Sequence, residues 1–268
     1  METSALKDEE FQQFRSWLHH TAGISLSPAK KPLVSGRLSK RLKHHNLPSY
    51  GEYFRLITQS SEKAELQIAL DLLTTNETYF FREPKHFDFL RTQVLPNAKP
   101  GQAFRLWSAA SSSGEEPYTL AMTLADNLGS TPWEIVASDI STRVLEKARA
   151  GHYSLDRTEG IPKHLLSKYC LKGTGSQEGT FLVERALRSR VQFMQINLNI
   201  ALPRIGEFDV IFLRNVMIYF DMDTKREVVA RMLPMLKPGG YFFVSHSESL
   251  NGITESLKLV TPSVYRKS

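Results

Sequence analysis

The sequence predicts a doubly wound α/β sheet preceded by a smaller all-helical region. Three observations lead to this fold class. Apolar runs alternate with helical patterns from Ala103 onward, the first run ends in a loop of small residues, and the second ends at Asp139. Alternation of this kind is typical of a parallel sheet covered by helices. In such sheets ligands bind beyond the carboxyl ends of the strands, where this loop and this acid lie.

Five strands of this sheet are predicted from their apolar runs. They are Phe104–Trp107, Glu134–Ser138, Val191–Gln195, Asp209–Leu213 and Tyr241–Ser245. Helices are predicted between them at Glu116–Asn127, Thr142–Arg149 and Thr224–Leu236, with "KPGG" closing the last one. The tail "LKLVTPSVYRK" predicts two short antiparallel strands around Pro262.

The first part of the chain is predicted to be helical throughout. Apolar residues recur there at helical spacing, namely Leu6, Phe11, Phe14, Trp17 and Leu18. A Ser-Pro pair opens a second helical stretch that ends at Asn46, and two further amphipathic stretches follow. Because no convincing strand precedes Tyr79, we place a helical domain at residues 1–80 and the α/β domain at residues 81–268.

One segment of the α/β domain departs from the alternation. Where a crossover helix is expected, Gly173, Gly175 and Gly179 separate short β-like runs. Because turns of this composition join strands, we predict a small β-hairpin insertion at about residues 170–190.

The composition is that of an ordinary globular protein and excludes several classes. Of 268 residues, 41% are hydrophobic and 23% charged. The single cysteine, Cys170, cannot form an intrachain disulfide, which fits a reducing compartment. The polar start and the absence of an apolar run of about 18 residues predict neither signal peptide nor membrane span, so we expect a cytoplasmic protein. A net charge of +6 favours an acidic partner.

The loop after the first strand indicates the class of ligand. Its sequence "SAASSSGEE" lacks the glycine pattern that brings backbone amides onto a pyrophosphate. Asp139, at the end of the second strand, is placed to accept hydrogen bonds from both hydroxyls of a ribose. A ribose ligand without a pyrophosphate favours S-adenosylmethionine over a dinucleotide. The alternative is that Asp139 only caps the helix that follows it.

Six motifs together resemble one family, the chemotaxis receptor methyltransferases of the CheR type. They are "LTTNETYFFREPKHF", "LWSAASSSGEEPY", "ASDIS", "INL", "FDVIFLRNVMIYFD" and "LKPGGYFFVSHSE". The resemblance covers nearly the whole chain, and "FFRE" and "RNVMIYF" are its most specific parts. It implies a Rossmann-like methyltransferase domain that transfers a methyl group from S-adenosylmethionine to receptor glutamates, giving methyl esters and S-adenosylhomocysteine.

Two residues are candidates for the reaction itself. Arg82 can hold a carboxylate through its guanidinium, and the resemblance places the matching arginine near the cofactor. Tyr219 follows the fourth strand, and its hydroxyl can bond the incoming carboxylate. The alternatives are a surface Arg82 paired with Glu83 and an aromatic core residue at Tyr219. No general base is needed, because a glutamate with a pKa of about 4.3 is already ionised at neutral pH.

Further cofactor contacts are implied mainly by the resemblance. They are Asn76, Thr78, Arg82, Glu116, Asn197, Leu198, Arg214 and Asn215, beside Asp139. Glu115 and Glu116 also stand where a helix dipole favours carboxylates, so one of them is expected to be structural. No metal is predicted, because the eight histidines show no ligand spacing.

Two features point to contacts with a partner. Arg37, Lys40, Arg41 and His44 recur at helical spacing on one face, in a stretch without any acidic residue. We predict that this face docks on the helical bundle of the receptor; a solvated face and a nucleic-acid surface are the alternatives. The glycine-rich hairpin resembles a subdomain that tethers a receptor's C-terminal peptide by strand addition, and a packing hairpin is the alternative. We expect a monomer.

Three other functions remain open from the sequence. An RNA or other protein methyltransferase would use the basic segment, although aromatic residues do not alternate with it as stacking platforms would. A catalytically silent docking module would keep the fold and lose the chemistry, against which Arg82, Asp139 and Tyr219 argue. A dinucleotide oxidoreductase is the weakest, because the loop lacks the glycine pattern.

Overall fold

The computed structural model describes residues 5–59, 63–99 and 101–268. They form two compact units. The helical unit comprises the described residues up to Thr75 together with Tyr219–Lys225, and the α/β unit comprises Asn76–Ile218 and Arg226–Ser268.

The helical unit is built from four helices. They are α1 (Asp8–Ala22), α2 (Lys31–His44), α3 (Tyr50–Thr58) and α4 (Lys63–Leu73). Gly23 ends α1 in the left-handed conformation with φ 71°, and Ser49 caps α3 by accepting the N–H of Glu52. The periodic apolar residues Phe14, Leu38 and Tyr53 are fully buried and form the core of this unit.

Ten strands and six α-helices follow in the remaining residues that the structure describes. The strands are β1 (Phe104–Ser108), β2 (Trp133–Asp139), β3 (His152–Ser154), β4 (Cys170–Lys172), β5 (Thr180–Val183), β6 (Val191–Gln195), β7 (Phe208–Phe212), β8 (Leu236–Phe243), β9 (Leu257–Thr261) and β10 (Val264–Lys267). The helices are α5 (Lys85–Phe89), α6 (Glu115–Asn127), α7 (Thr142–Ala150), α8 (Lys163–Tyr169), α9 (Arg185–Arg188) and α10 (Met222–Met232).

Seven of these strands form one sheet in the order β6-β2-β1-β7-β8-β10-β9. The first five strands of that order pair in parallel, and β10 runs antiparallel to β8 and β9. The predicted fold class and its antiparallel tail are therefore confirmed. After β1 the chain forms β2 and then β6 on one side of β1, and it then crosses to form β7 on the other side of β1. The switch point of the sheet, where ligands bind in folds of this type, lies between β1 and β7.

The last parallel strand differs from its prediction. The expected helix ends at Met232 rather than Leu236, and "KPGG" lies inside β8. The pairing with β7 is irregular here, because Phe208 faces Leu236 while Val210 faces Tyr241. The extra residues bulge out of the ladder, and the glycines fit such a bulge.

The insertion is a small sheet of three strands rather than a hairpin alone. Strands β4 and β5 pair antiparallel as predicted, and β3 joins the other side of β5. The turn between β4 and β5 requires its glycines: a Cβ on Gly173 would lie 1.9 Å from the main-chain oxygen of Gln177, and Gly179 has φ 81°.

None of the helices within the described residues is long and apolar enough to cross a membrane.

Candidate functional site

The loop between β1 and α6 is held to the end of β2 by one carboxylate. Asp139 accepts the N–H of Ser112 through Oδ2 and the N–H of Ser141 through Oδ1, both at 2.9 Å. Ser112 has φ 47°, a backbone conformation that few residues other than glycine adopt. Asp139 therefore fixes the small-residue loop and the entry to α7 at once.

Two buried hydroxyls beside this carboxylate have no partner among the described residues. They are Ser111 Oγ and Ser141 Oγ, and both side chains are fully buried. Buried polar atoms are normally hydrogen-bonded, so two orphans next to a buried acid indicate a place for a polar ligand. Together with the small side chains of the loop, they fit the ribose end of S-adenosylmethionine.

Arg214 forms the centre of the second half of the site. Its side chain is fully buried and pairs with Glu83 at 3.0 Å and with Glu116 at 2.9 Å. It also donates to the main-chain oxygen of Arg82 at 2.5 Å. One guanidinium thus joins the end of β7, the start of α6 and the "FFRE" segment.

The two carboxylates of this network have different pKa values. Burial raises the pKa of Glu83, but Arg214, Asn215 and the N–H of His246 outweigh it, so the pKa is lowered from 4.5. Burial also raises the pKa of Glu116, and there it outweighs Arg214 and the Ser108 hydroxyl. The charge balance of the site therefore depends on Arg214.

Arg82 lies half-buried with its guanidinium directed away from Glu83. It donates to the main-chain oxygen of Glu77 at 3.0 Å and lies over the ring of Tyr79 at 5.6 Å. No carboxylate of the described residues lies within ion-pair distance of it, so the pair with Glu83 considered above does not form. Its neighbours Phe81 and Glu83 have φ 56° and 59°, and such strain is typical of functional segments.

The other predicted cofactor residues lie on the same edge of the sheet. The main-chain oxygen of Asn76 accepts from the Ser112 hydroxyl at 2.7 Å, and that of Thr78 accepts from Arg157 at 2.9 Å. Asn197 and Leu198 follow β6, which pairs with β2 up to Asp139. Leu198 is buried, and the side chain of Asn197 accepts the N–H of residue 199 at 2.9 Å.

Asn215 follows Arg214 in the left-handed conformation, with φ 58°. Its side-chain amide donates to Glu83 at 3.4 Å. Tyr219 belongs to the helical unit, where its main-chain oxygen accepts the N–H of Ser25 at 2.7 Å.

Sequence reasoning missed Glu83 and Glu248 as organisers of the site. Glu83 pairs with Arg214, and Glu248 accepts three main-chain N–H groups from loops at the sheet edge. Both lie in quoted motifs, "FFRE" and "VSHSE". The available signal was a carboxylate just before a predicted helix for Glu83 and just after a predicted strand for Glu248.

A cluster of potential metal ligands also lies here. Ligand atoms of Glu83, His86 and His246 lie within 4.8 Å of one another. Glu83 is already paired with Arg214, whose charge would oppose a cation, and His86 Nε2 and His246 Nδ1 already share the hydroxyl of Ser263. We assign no metal to this cluster.

The predicted basic face of α2 divides into two pairs of residues. Arg41 binds Glu65 through two nitrogens at 2.8 and 2.5 Å, and Glu65 is buried. Arg37 donates to the main-chain oxygens of Leu73 and Thr74 at the end of α4. Lys40 and His44 are exposed. Of the four residues predicted for docking, Lys40 and His44 are therefore the exposed pair, while Arg37 and Arg41 connect α2 to α4.

We expect Arg41→Ala to lower the free energy of unfolding by about 3 kcal/mol, because it leaves the buried Glu65 without its cation. Lys40→Ala, the matched exposed neighbour, is expected to change it by less than about 0.5 kcal/mol. Urea unfolding of both variants measures the difference. Wild-type stability of Arg41→Ala would contradict this assignment and return Arg41 to the docking face.

Comparison with known proteins identifies the family. The sequence matches "CheR methyltransferase, SAM binding domain" over residues 76–265 and "CheR methyltransferase, all-alpha domain" over residues 9–74. It is 45% identical over 260 residues to Chemotaxis protein methyltransferase 2 of Pseudomonas aeruginosa, covering 96% of this chain and 92% of that protein. It is 41% identical over 272 residues to the Chemotaxis protein methyltransferase of Escherichia coli K12, covering 100% and 93%.

These matches confirm the resemblance and the predicted cofactor, S-adenosylmethionine. The α/β unit carries the cofactor domain, and the helical unit contains the residues matched by the all-alpha domain. The chain belongs to the CheR family of S-adenosylmethionine-dependent methyltransferases.

Proposed function

We propose that this protein methylates glutamate γ-carboxylates of bacterial chemoreceptors, forming glutamyl methyl esters that set the receptor's adaptation state. The observation that carries the proposal is Arg82, a half-buried cation in the site that lacks a carboxylate partner among the described residues. An incoming carboxylate would supply that partner. The relatives named as chemotaxis protein methyltransferases support the choice of receptor as substrate.

S-adenosylmethionine supplies an electrophilic methyl group on a positively charged sulfur. Arg82 would bind the receptor carboxylate and aim one of its oxygens at that methyl group, which the sulfonium would release with the electron pair left on sulfur. No proton moves, because the carboxylate is already ionised at neutral pH. The protein's contribution is alignment and exclusion of water, and positioning alone can supply effective molarities of about 10⁵ M or more.

The remaining predicted site residues divide between cofactor and substrate in this proposal. Tyr219, which follows the β7 loop in the chain, donates its hydroxyl to the same carboxylate. The cofactor is held by Asp139 at the ribose and by the other residues that we assign to it, Asn76, Thr78, Arg82, Glu116, Asn197, Leu198, Arg214 and Asn215.

Docking on the receptor uses basic residues and a strand edge. Lys40 and His44 face an acidic helical bundle, a surface that suits their exposure and charge. Strand β4 lies at the edge of the small sheet and exposes Leu171, so a C-terminal receptor peptide can add a strand there. The proposal places the enzyme in the cytoplasm as a monomer, where receptor bundles present their glutamates.

Methyl transfer from labelled S-adenosylmethionine to a purified receptor cytoplasmic fragment tests the proposal. We expect base-labile label on the fragment, and a loss of roughly 100-fold in kcat/KM for Arg82→Ala, because a charge-assisted pair is removed. Arg91→Ala, an exposed arginine on the following helical segment, is the matched control and should behave as wild type. A fragment without its C-terminal residues should react more slowly if β4 tethers it.

Other outcomes distinguish the alternatives. If RNA or another protein is labelled and the receptor fragment is not, the enzyme is a methyltransferase that acts on a different substrate. Binding of S-adenosylhomocysteine without transfer to any acceptor would favour a docking module.

A further inference from the structure

The loop that follows β7 is fixed by a carboxylate from the loop that follows β8. We propose that Glu248 is a positioning residue for methyl transfer, which holds Asn215–Ile218 in the conformation that the reaction needs. The inference rests on the proposed function only for its kinetic part, because the contacts of Glu248 are independent of the substrate.

Glu248 accepts three main-chain N–H groups. Its Oε2 accepts from Asn215 at 3.0 Å and from Ser245 at 2.9 Å, and its Oε1 accepts from Ile218 at 3.2 Å. The N–H of Glu248 in turn donates to the oxygen of Ser245 at 3.0 Å, which closes a reciprocal turn. One side chain therefore joins two loops at the carboxyl edge of adjacent strands, β7 and β8.

The held loop contains the predicted site residue Asn215 and follows directly on Arg214. Glu83 binds both the Arg214 guanidinium and the Asn215 amide. Glu248 binds the same Asn215 through its main chain, at a residue with φ 58°. Glu248 therefore holds the loop at both of its ends, at Asn215 and at Ile218.

The chemistry requires a carboxylate. An ionised carboxylate is an acceptor at both oxygens, which suits three converging N–H donors. Glutamine keeps one acceptor oxygen, which can still accept the N–H groups of Asn215 and Ser245, and turns its NH₂ group toward the N–H of Ile218. Glu248→Gln therefore breaks the hold on Ile218 with little change of shape. Aspartate keeps the charge and both acceptors on a shorter side chain, and should retain part of the hold.

The experiment compares Glu248→Ala, Glu248→Gln and Glu248→Asp with Glu255→Ala, an exposed glutamate in the same β8–β9 connection. Amide hydrogen exchange over residues 213–219 reports the loop directly. Steady-state methylation of a receptor fragment reports kcat and KM, and calorimetry with S-adenosylhomocysteine reports cofactor-site integrity.

We expect faster exchange at Asn215 and Ile218 in the alanine variant, faster exchange at Ile218 in the glutamine variant, and wild-type exchange in Glu255→Ala. The two variants should lose kcat roughly 10- to 100-fold, because small misplacements of a reacting group have effects of that size. S-adenosylhomocysteine affinity should change by less than about fivefold, and Glu248→Asp should recover part of kcat.

Three results would overturn the inference. One is unchanged exchange of the loop in Glu248→Gln, and another is a lower unfolding midpoint with wild-type kcat. The third is a glutamine variant as active as the aspartate variant. If the wild-type enzyme does not methylate the receptor, the proposed function fails, and the exchange experiment still decides whether Glu248 holds the loop.

Discussion

Arg214→Met is expected to destabilise the α/β unit by about 4 kcal/mol, because removal of one partner from a buried ion network leaves its charges uncompensated. The side chain of Arg214 is fully buried, and it contacts the carboxylates of Glu83 and Glu116 within 3.0 Å. Methionine fills similar space without a charge. Both carboxylates would then lack their cation, and the space that the guanidinium now fills lies against the rings of Phe87 and Phe212.

The two carboxylates determine how the loss of stability in Arg214→Met changes with pH. With Arg214 present, the pKa of Glu83 is lowered, so its ionised form stabilises the fold above its ordinary value of 4.5. Without Arg214, the pKa values of Glu83 and Glu116 both rise relative to wild type, because only the Asn215 amide, the N–H of His246 and the Ser108 hydroxyl are left to oppose burial. The variant is therefore closest to wild type in acid and loses stability as the pH rises through these raised values.

Urea unfolding of wild type and variant at pH ~5 and pH ~8 measures this, with the larger difference expected at the higher pH. The matched control is the triple variant with Glu83→Gln and Glu116→Gln added, which removes the buried charges together. Because neutral replacements of a buried network are often tolerated, it should recover most of the stability. If Arg214→Met loses the same free energy of unfolding at both pH values, Arg214 stabilises the fold by packing and not by its charge.

The fold was predictable because each parallel strand is a local signal. Strand β6 lies at Val191–Gln195 as predicted. Strand β1 is longer than predicted by one residue at its end, β2 is longer by one residue at each end, and β7 is shifted by one residue toward the N-terminus. A strand that is buried on both faces is a continuous apolar run, so it can be predicted without information from elsewhere in the chain. Strand β3 was not predicted, because three residues after a helix carry too little periodicity to indicate a strand.

A role in the site could be predicted from the sequence only for a residue whose position along the chain is enough to indicate that role. Asp139 is marked by the end of its strand. The partner of Arg214 was not predictable, because Glu83 lies 131 residues earlier and reaches it only in the folded chain. Arg41 illustrates the same limit: helical spacing placed it on a basic face, and its acceptor Glu65 comes from another helix. Long-range pairs of this kind carry no local pattern.

The alignment of the site depends on acidic residues that do not themselves react in the proposed mechanism. Glu83 and Glu116 orient Arg214, Glu248 orients Asn215, and Asp139 fixes the small-residue loop. A reaction between oppositely charged partners without proton transfer gains chiefly from such fixed geometry. Substitutions of these acidic residues should therefore change cofactor binding and the rate of methyl transfer more than they change the pH optimum of the reaction.

Asp139→Ala is expected to weaken S-adenosylhomocysteine binding by at least about 100-fold, because two charge-assisted hydrogen bonds to the ribose are worth roughly 3 kcal/mol. The substitution also leaves the N–H groups of Ser112 and Ser141 without their acceptor, which loosens the loop that must approach the ligand. Asp139→Asn keeps one acceptor oxygen and should fall between wild type and the alanine variant.

Calorimetric titration of S-adenosylhomocysteine into wild type and both variants, with unfolding midpoints measured alongside, separates binding from capping. Asp156→Ala, an exposed aspartate in the turn after β3, is the control and should bind as wild type. A cap alone predicts a lower midpoint with affinity retained once the protein is folded, because the ligand would not contact the carboxylate. If Asp139 accepts hydrogen bonds from the ribose, the affinity for S-adenosylhomocysteine falls even when the variant is fully folded. The unfolding midpoint of the variant then no longer rises when S-adenosylhomocysteine is added.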